Sequence, residues 1–302
     1  MSALAQARDT MRQVALPKTM TPQLVLHWTL RIGLAMCYIG HGAFGIMTKA
    51  SWLPYFGVVG IPESVAWKLM PIVGAMDITM GLVVLLYPTR PLLLWATFWT
   101  VWTALLRPLT GEGGWEFLER GGNYGIPLAM LYLAGFTAPD NTLRSWFTAK
   151  AAPRRDEARA ATLVWITRIT TAALLIGHGG FGLSMHKAVW FNYLGVLGIS
   201  KGTAQSLSLL SAIGLFEILL GLAVLIKPAR PLLLAIFAYK VGTELLRPLS
   251  GEPFWEFIER GGSYTAPLAC YLLLTYLHRR RAAGNATPPA VSPQPLAVAV
   301  GD

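Results

Sequence analysis

"LLRPLTGEGGWEFLERGGNYGIPLA" occupies residues 105–129, and "LLRPLSGEPFWEFIERGGSYTAPLA" occupies 245–269; by direct count the two share 18 of 25 residues. Both are charged at the centre and lie in a chain that is otherwise apolar. The likeness continues outward. "RIGLAMCYIGHGAFG" (31–45) matches "RITTAALLIGHGGFG" (168–182), and "GAMDITMGLVVLLYPTRPLLL" (74–94) matches "GLFEILLGLAVLIKPARPLLL" (214–234). The offset drifts only from 137 to 140. An internal repeat of this length sets the architecture before any single element is assigned.

The solvent for that architecture is a bilayer. Of 302 residues, 54% are hydrophobic and 13% are charged, against about 25% charged in a soluble domain. The mean hydropathy is +0.50. The net charge of +10 sits in short loops and tails, the placement that sets membrane topology. The chain lacks a soluble basic domain, which argues against nucleic acid as a partner. Cys37 and Cys270 lie inside apolar stretches and form no CxxC, which disfavours thiol–disulfide chemistry. Residues 1–22 have no apolar core of signal-peptide length, so the first apolar segment is expected to remain as an anchor.

With about 20 residues per crossing, the apolar segments number eight: 24–47, 66–87, 91–109, 122–139, 161–185, 205–227, 231–248 and 262–278. The expected fold is an all-α membrane protein of eight transmembrane helices. Segment 1–23 precedes a first four-helix repeat (24–139). A polar linker (140–160) leads to a second repeat (161–278), and an Ala- and Pro-rich tail (279–302) is expected to be disordered. An even number of spans inserts both copies the same way, so the repeats are parallel about an axis along the membrane normal. Fourteen Lys and Arg fall on the side of the termini and eight on the other, together with seven Glu. Both termini are therefore expected in the cytoplasm of a bacterial-type inner membrane, with both polar cassettes on the outer face.

Within each cassette the Arg–Pro pair (Arg107-Pro108, Arg247-Pro248) predicts a helix break near the arginine. "WEFLE" and "WEFIE" then read as a short interfacial helix seated on Trp and Phe. The double glycine reads as a flexible stop, and Asn123 or Ser263 as the next N-cap. Glu112, Glu116 and Glu119, with Arg107 and Arg120, form a salt-bridge knot in one copy. Glu252, Glu256, Glu259, Arg247 and Arg260 repeat it in the other. The alternative to a closed knot is a polar lid over a cavity reached from the outer leaflet, to which Tyr124 and Tyr264 offer hydroxyls and where the arginines attract an anionic or carbonyl-bearing ligand.

Charges at membrane depth cost a few kcal/mol on insertion scales and normally face an interior. Asp77 and Glu217 are equivalent positions in the second span of each repeat, between glycines that admit a neighbouring helix (Gly74 and Gly81, Gly214 and Gly221). Each is a proton-carrying or ligand-binding carboxylate, or else the partner of an arginine of its own repeat. His41 and His178 correspond inside "IGHG". They serve helix packing, a proton relay, or metal or haem ligation; one histidine per repeat falls short of the three or more ligands of an ordinary metal site. Lys240 and Glu244 break the symmetry, since their counterparts are Thr100 and Ala104. Four apart, they share one helical face.

An Arg opening the first span, a Gly-rich end to it, a following "TK" (48–49) or "HK" (186–187), an acidic residue in the second span and a Pro-x-Arg-Pro turn (88–91, 228–231) together resemble the DoxX-like four-helix membrane proteins. The resemblance covers Arg31–Phe136 and Arg168–Leu277 and identifies the chain as a fused tandem pair. It implies a redox-associated subunit that handles quinone and works with a redox partner protein or larger membrane complex. It does not extend to the cassette, so it implies the fold more firmly than the reaction. Two other readings stay open at this point: a small-molecule or ion transporter using the buried carboxylates, and an assembly subunit whose polar residues lock helices.

Overall fold

The computed structural model describes residues 21–138, 140–153 and 157–284. Among these there is no strand, only one isolated bridge between Thr89 and Lys150. The long helices are α1 (Pro22–Ile46), α3 (Glu63–Leu86), α4 (Arg90–Leu109), α6 (Gly121–Ala134), α8 (Glu157–Gly180), α10 (Ala204–Ile226), α11 (Arg230–Leu249) and α13 (Gly261–Gly284). Between them lie the short helices α2 (Leu53–Val58), α5 (Gly114–Glu119), α7 (Leu143–Thr148), α9 (Trp190–Val196) and α12 (Trp255–Glu259). Helix starts follow capping rules: Thr21 accepts from the Leu24 N–H before Pro22, and Thr203 accepts from the Ser206 N–H.

All eight apolar segments are helical, but they are not equally able to cross a bilayer. Four helices (Glu63–Leu86, Arg90–Leu109, Arg159–Met185 and Ala204–Ile226) are long and apolar enough. A fifth is added if Pro22–Ile46 and Ala50–Val58, bent by 103°, count as one broken span. The shortfall has physical causes. Helix α6 has 14 residues, about 21 Å at 1.5 Å per residue against a core of about 30 Å. Helix α11 carries Arg230, Lys240, Glu244 and Arg247. The outward faces are those of a membrane protein: Ile72, Phe98, Ile169 and Leu219 are each more than half exposed.

The core runs through α1, α6, α8 and α13, joined by Leu30, Leu34, Ile126, Met130, Leu163, Leu174 and Cys270. Helix α3 packs on α1 and α10 on α8, both antiparallel. The close approach needs small residues: a Cβ on Gly74 would sit 2.5 Å from the Gly42 oxygen, and one on Gly214 2.5 Å from the Gly179 oxygen. At the far end of α3, Arg31 gives its Nε to the Val84 carbonyl at 3.0 Å and a second nitrogen to Leu85. Arg168 does the same to Val224, at 2.8 Å, and Leu225. Free carbonyls at a helix C-terminus are natural acceptors for a guanidinium.

Several expectations at element boundaries are corrected. The third and seventh helices do not break at Arg107 or Arg247. They run through Pro108 and Pro248 to Leu109 and Leu249, and the reversal comes at Gly111 and Gly251, whose φ of 88° and 96° suit glycine alone. The double glycine is not a flexible stop. Gly121 and Gly122 are the buried first residues of α6, and Gly261 and Gly262 those of α13, so Asn123 and Ser263 lie inside helices rather than at their caps. The polar linker expected at 140–160 is not overturned. It contains α7, the buried Ala151 whose N–H donates to the Pro88 carbonyl at 2.7 Å, and the start of α8. Helix α13 continues through Arg279–Arg281 to Gly284. The expected disorder after that, and most of segment 1–23, fall outside the described residues.

Candidate functional site

The cassettes do not lie along a lipid interface as separate mouths. Each short helix is wedged against the opposite half of the chain: α5 packs on α8, and α12 on α1. The glycine before each "IGHG" histidine makes room. A Cβ on Gly40 would fall 2.3 Å from the Glu259 nitrogen, and one on Gly177 2.1 Å from the Glu119 nitrogen. Glu116, Glu119, Arg120, Glu256, Glu259 and Arg260 are consequently all buried. Trp115 packs over Gly180, while Phe254 and Trp255 keep the exposed position expected of both cassettes' aromatics.

Burial in a swapped position changes the pairing. The expectation that each knot closes on itself is corrected, because its shortest bonds cross between halves. Arg260 Nη1 lies 2.5 Å from Glu119 Oε1, and Arg120 Nη1 lies 3.6 Å from Glu259 Oε1. Lys187 donates to Glu116, and Lys49 to Glu256 at 2.8 Å. The own-half contacts of these two arginines are longer, Arg120 to Glu116 and Glu119 at 3.8 Å and Arg260 to Glu256 at 3.7 Å, while Arg107 keeps Glu112 of its own half at 3.1 Å. The result is one network spanning both halves. Tyr124 and Tyr264 serve the same wedge, and their hydroxyls do not face a cavity. They donate to the carbonyls of Phe117 (3.2 Å) and Phe257 (2.8 Å), whose rings lie 5.1 Å from their own, stacked in the first pair and tilted in the second.

Helices α5 and α12 lie outside the candidate spanning segments. Burial alone would raise the Glu119 and Glu259 carboxyls; the neighbouring Arg260 and Arg120 outweigh it. Glu119 is held below the ordinary carboxylate range, and Glu259, also helped by His41 and Lys49, is brought down to about 2. A depressed value means that the contribution is complete above the unfolded value of 4.5 and is lost as pH falls toward about 2. The melting-temperature gap between wild type and Glu259→Gln in detergent is therefore expected to narrow across that window. A gap that stays constant through it would mean that Glu259 does not act through its charge.

Beneath the wedge each half holds a histidine–carboxylate pair. His41 Nδ1 is 2.8 Å from Asp77 Oδ2, and His178 Nδ1 is 2.6 Å from Glu217 Oε2. The second carboxylate oxygen accepts from Trp99 Nε1 (3.0 Å) in the first half and from the Tyr239 hydroxyl (3.0 Å) in the second. The expectation that Asp77 and Glu217 meet an arginine of their own repeat is thus corrected; Arg31 and Arg168 are spent on helix-end carbonyls. Each imidazole lies against a tryptophan, His41 stacked on Trp52 at 4.4 Å and His178 tilted against Trp190 at 4.5 Å. Among the described residues, no group of three or more His, Cys, Asp or Glu is placed to hold a metal ion.

The halves differ at the next turn. In the second, Lys240 Nζ lies 2.9 Å from Glu244 Oε1 and 3.8 Å from Glu217 Oε1. Arg247 Nε is 2.6 Å from Glu244 Oε2, and Arg247 Nη1 is 3.0 Å from the Tyr193 hydroxyl, which donates to Glu252 at 2.6 Å. In the first, Arg107 reaches Glu112 at 3.1 Å and Glu116 at 3.6 Å, while the Tyr55 hydroxyl donates to Glu112. The first half also holds a cavity of about 290 Å³, walled by His41, Trp52, Tyr55, Trp99, Trp102 and Arg107 among others. The two tyrosines and the stacking tryptophans were not among the sequence candidates. "WLPYF" (52–56) against "WFNYL" (190–194) repeats W-x-x-Y, and that spacing was the available signal. No family model, curated protein or solved structure matches the chain.

Proposed function

We propose that the chain is a DoxX-like integral membrane protein of eight spans, built as two parallel four-helix repeats, and that it binds a quinone in the cavity of its first half. The observation that carries this reading is the cavity wall. It combines an apolar aromatic slot with an imidazole whose Nδ1 is tied to Asp77, which leaves Nε2 for a ligand oxygen. Pockets of about 300 Å³ and upward with a few convergent polar groups are the usual small-molecule sites. Quinone reduction takes up two electrons and two protons. His41, oriented by Asp77, supplies the proton route. The electrons come from a redox partner protein or larger complex in the inner membrane.

The repeat architecture draws support from the matched bonds of Arg31 and Arg168 and of the two histidine–carboxylate pairs. The distribution of Lys and Arg favours cytoplasmic termini and an outer-face wedge. Transport through Asp77 and Glu217 draws less support, because both oxygens of each carboxylate are engaged. The test uses purified protein in detergent. A short-chain benzoquinone is expected to quench tryptophan fluorescence saturably, through Trp52, Trp99 and Trp102, and His41→Ala is expected to weaken binding about tenfold, the value of one lost hydrogen bond to a ligand. Quenching that never saturates, or that is identical in the variant, would overturn the reading.

A further inference from the structure

Arg247 and His178 of the second half converge on the Glu244 carboxylate, at 2.6 Å and 4.0 Å. Their first-half counterparts, Arg107 and His41, have no such partner, because Glu244 corresponds to Ala104. Among the described residues, Arg107 meets carboxylates only through Nη1, toward Glu112 and Glu116, and His41 only through Nδ1, toward Asp77. Arg107 Nε and His41 Nε2, the two atoms whose equivalents face Glu244, are uncommitted, and both residues line the cavity. The second half fills the same place from its own chain: Lys240 and Glu244 are fully or almost fully buried.

We infer that Glu244 is a built-in occupant of the second half's site. The first half, lacking it, binds one ligand through an acceptor oxygen on the ligand's head, held by Arg107 Nε and by the Nε2–H of His41 in its imidazolium form, with the apolar body against the tryptophans. This rests on the quinone reading above and adds to it the head-group contacts, the stoichiometry of one per chain and a closed second half. The head-group chemistry is an oxygen acceptor, which a quinone carbonyl or a carboxylate both provide. The charge-assisted bonds expected here are about twice as strong as neutral ones.

The test exchanges the residues that differ, in the full-length protein, with a short-chain benzoquinone and 2-naphthoate as probes in equilibrium dialysis. Wild type is expected to bind one probe molecule per chain. Thr100→Lys with Ala104→Glu brings the internal carboxylate into the first half and is expected to lower affinity at least tenfold. Lys240→Thr with Glu244→Ala is expected to leave the first site intact and to raise the stoichiometry toward two. Ala104→Gln, similar in size to glutamate and uncharged, serves if the first double variant does not elute as a folded species; it too is expected to lose binding. Undiminished binding in both first-half variants would overturn the inference, as would loss of binding in the second-half variant. If only 2-naphthoate binds and the first-half variants abolish it, the inference stands and the quinone reading falls. If neither probe binds, both fall.

Discussion

Arg260→Ala is expected to destabilise the protein by about 3–5 kcal/mol, the cost of removing one partner from a buried ion pair. Arg260 is the near partner of Glu119 at 2.5 Å, and it also approaches Glu256 at 3.7 Å. All three residues are buried, so deletion leaves the Glu119 carboxylate with only the more distant Arg120, at 3.8 Å, as counter-charge. Arg120→Ala is expected to cost less, since its contacts lie at 3.6–3.8 Å. The readout is the melting temperature in detergent together with the monodisperse fraction on size exclusion. Arg260→Met combined with Glu119→Gln is expected to regain part of the loss, because no bare charge remains at the shortest contact. The recovery is partial, since Glu256 still loses its neighbour. An Arg260→Ala protein that melts with the wild type would show that the network carries no stability. The same variant also separates the observed network from two self-closed knots. Self-closed knots would couple Arg260 to Glu256, whereas the swapped wedge couples it to Glu119, and a double-mutant cycle measures which coupling is larger.

What was readable in the sequence and what was not divide along a physical line. The eight helical segments follow from apolar length, and the Lys240–Glu244 contact follows from an i,i+4 spacing on one helix face. Both are local. The partner of Asp77 is not local. In an antiparallel pair, Arg31 in the first half of α1 comes beside Val84 near the end of α3, and His41 further along α1 comes beside Asp77. Counting along α1 against α3 from that contact brings the histidine to within one turn of Asp77, but only once the antiparallel register is known. The wedge was missed for a different reason. "ERGG" has the composition of a turn, and local propensity makes a glycine pair a helix stop. Tertiary packing overrides it, because Gly122 and Gly262 meet each other while Gly121 packs on α8 and Gly261 on α1. The number of spans is legible only in part: hydropathy marks eight apolar segments, of which four form helices long and apolar enough to cross, while α6 is short at 14 residues and α11 carries internal charge.

Gly122→Ala and Gly262→Ala are each expected to destabilise strongly, and together by less than their sum. A Cβ on Gly122 would stand 2.6 Å from the Gly262 carbonyl carbon, and one on Gly262 would stand 2.5 Å from the Gly122 carbonyl carbon. The obstructing atoms are backbone, so no side chain can swing aside. The helices α6 and α13 have to separate. Overpacking of a tight contact costs about 1–3 kcal/mol. The separation adds to this, because Arg120 and Arg260 immediately precede the two glycine pairs. Moving α6 from α13 lengthens the Glu119–Arg260 and Arg120–Glu259 contacts at the same time. One alanine already opens the crossing, so the second meets a gap rather than a backbone, and the pair is less than additive. Gly242→Ala in α11 is the control. No atom lies within 4 Å of the place its methyl group would take, and alanine is the better helix former by about 1 kcal/mol, so its melting temperature is expected to hold or rise. If the two crossing variants behave like Gly242→Ala, α6 and α13 do not meet at their glycines, and the swapped wedge built on that crossing is wrong.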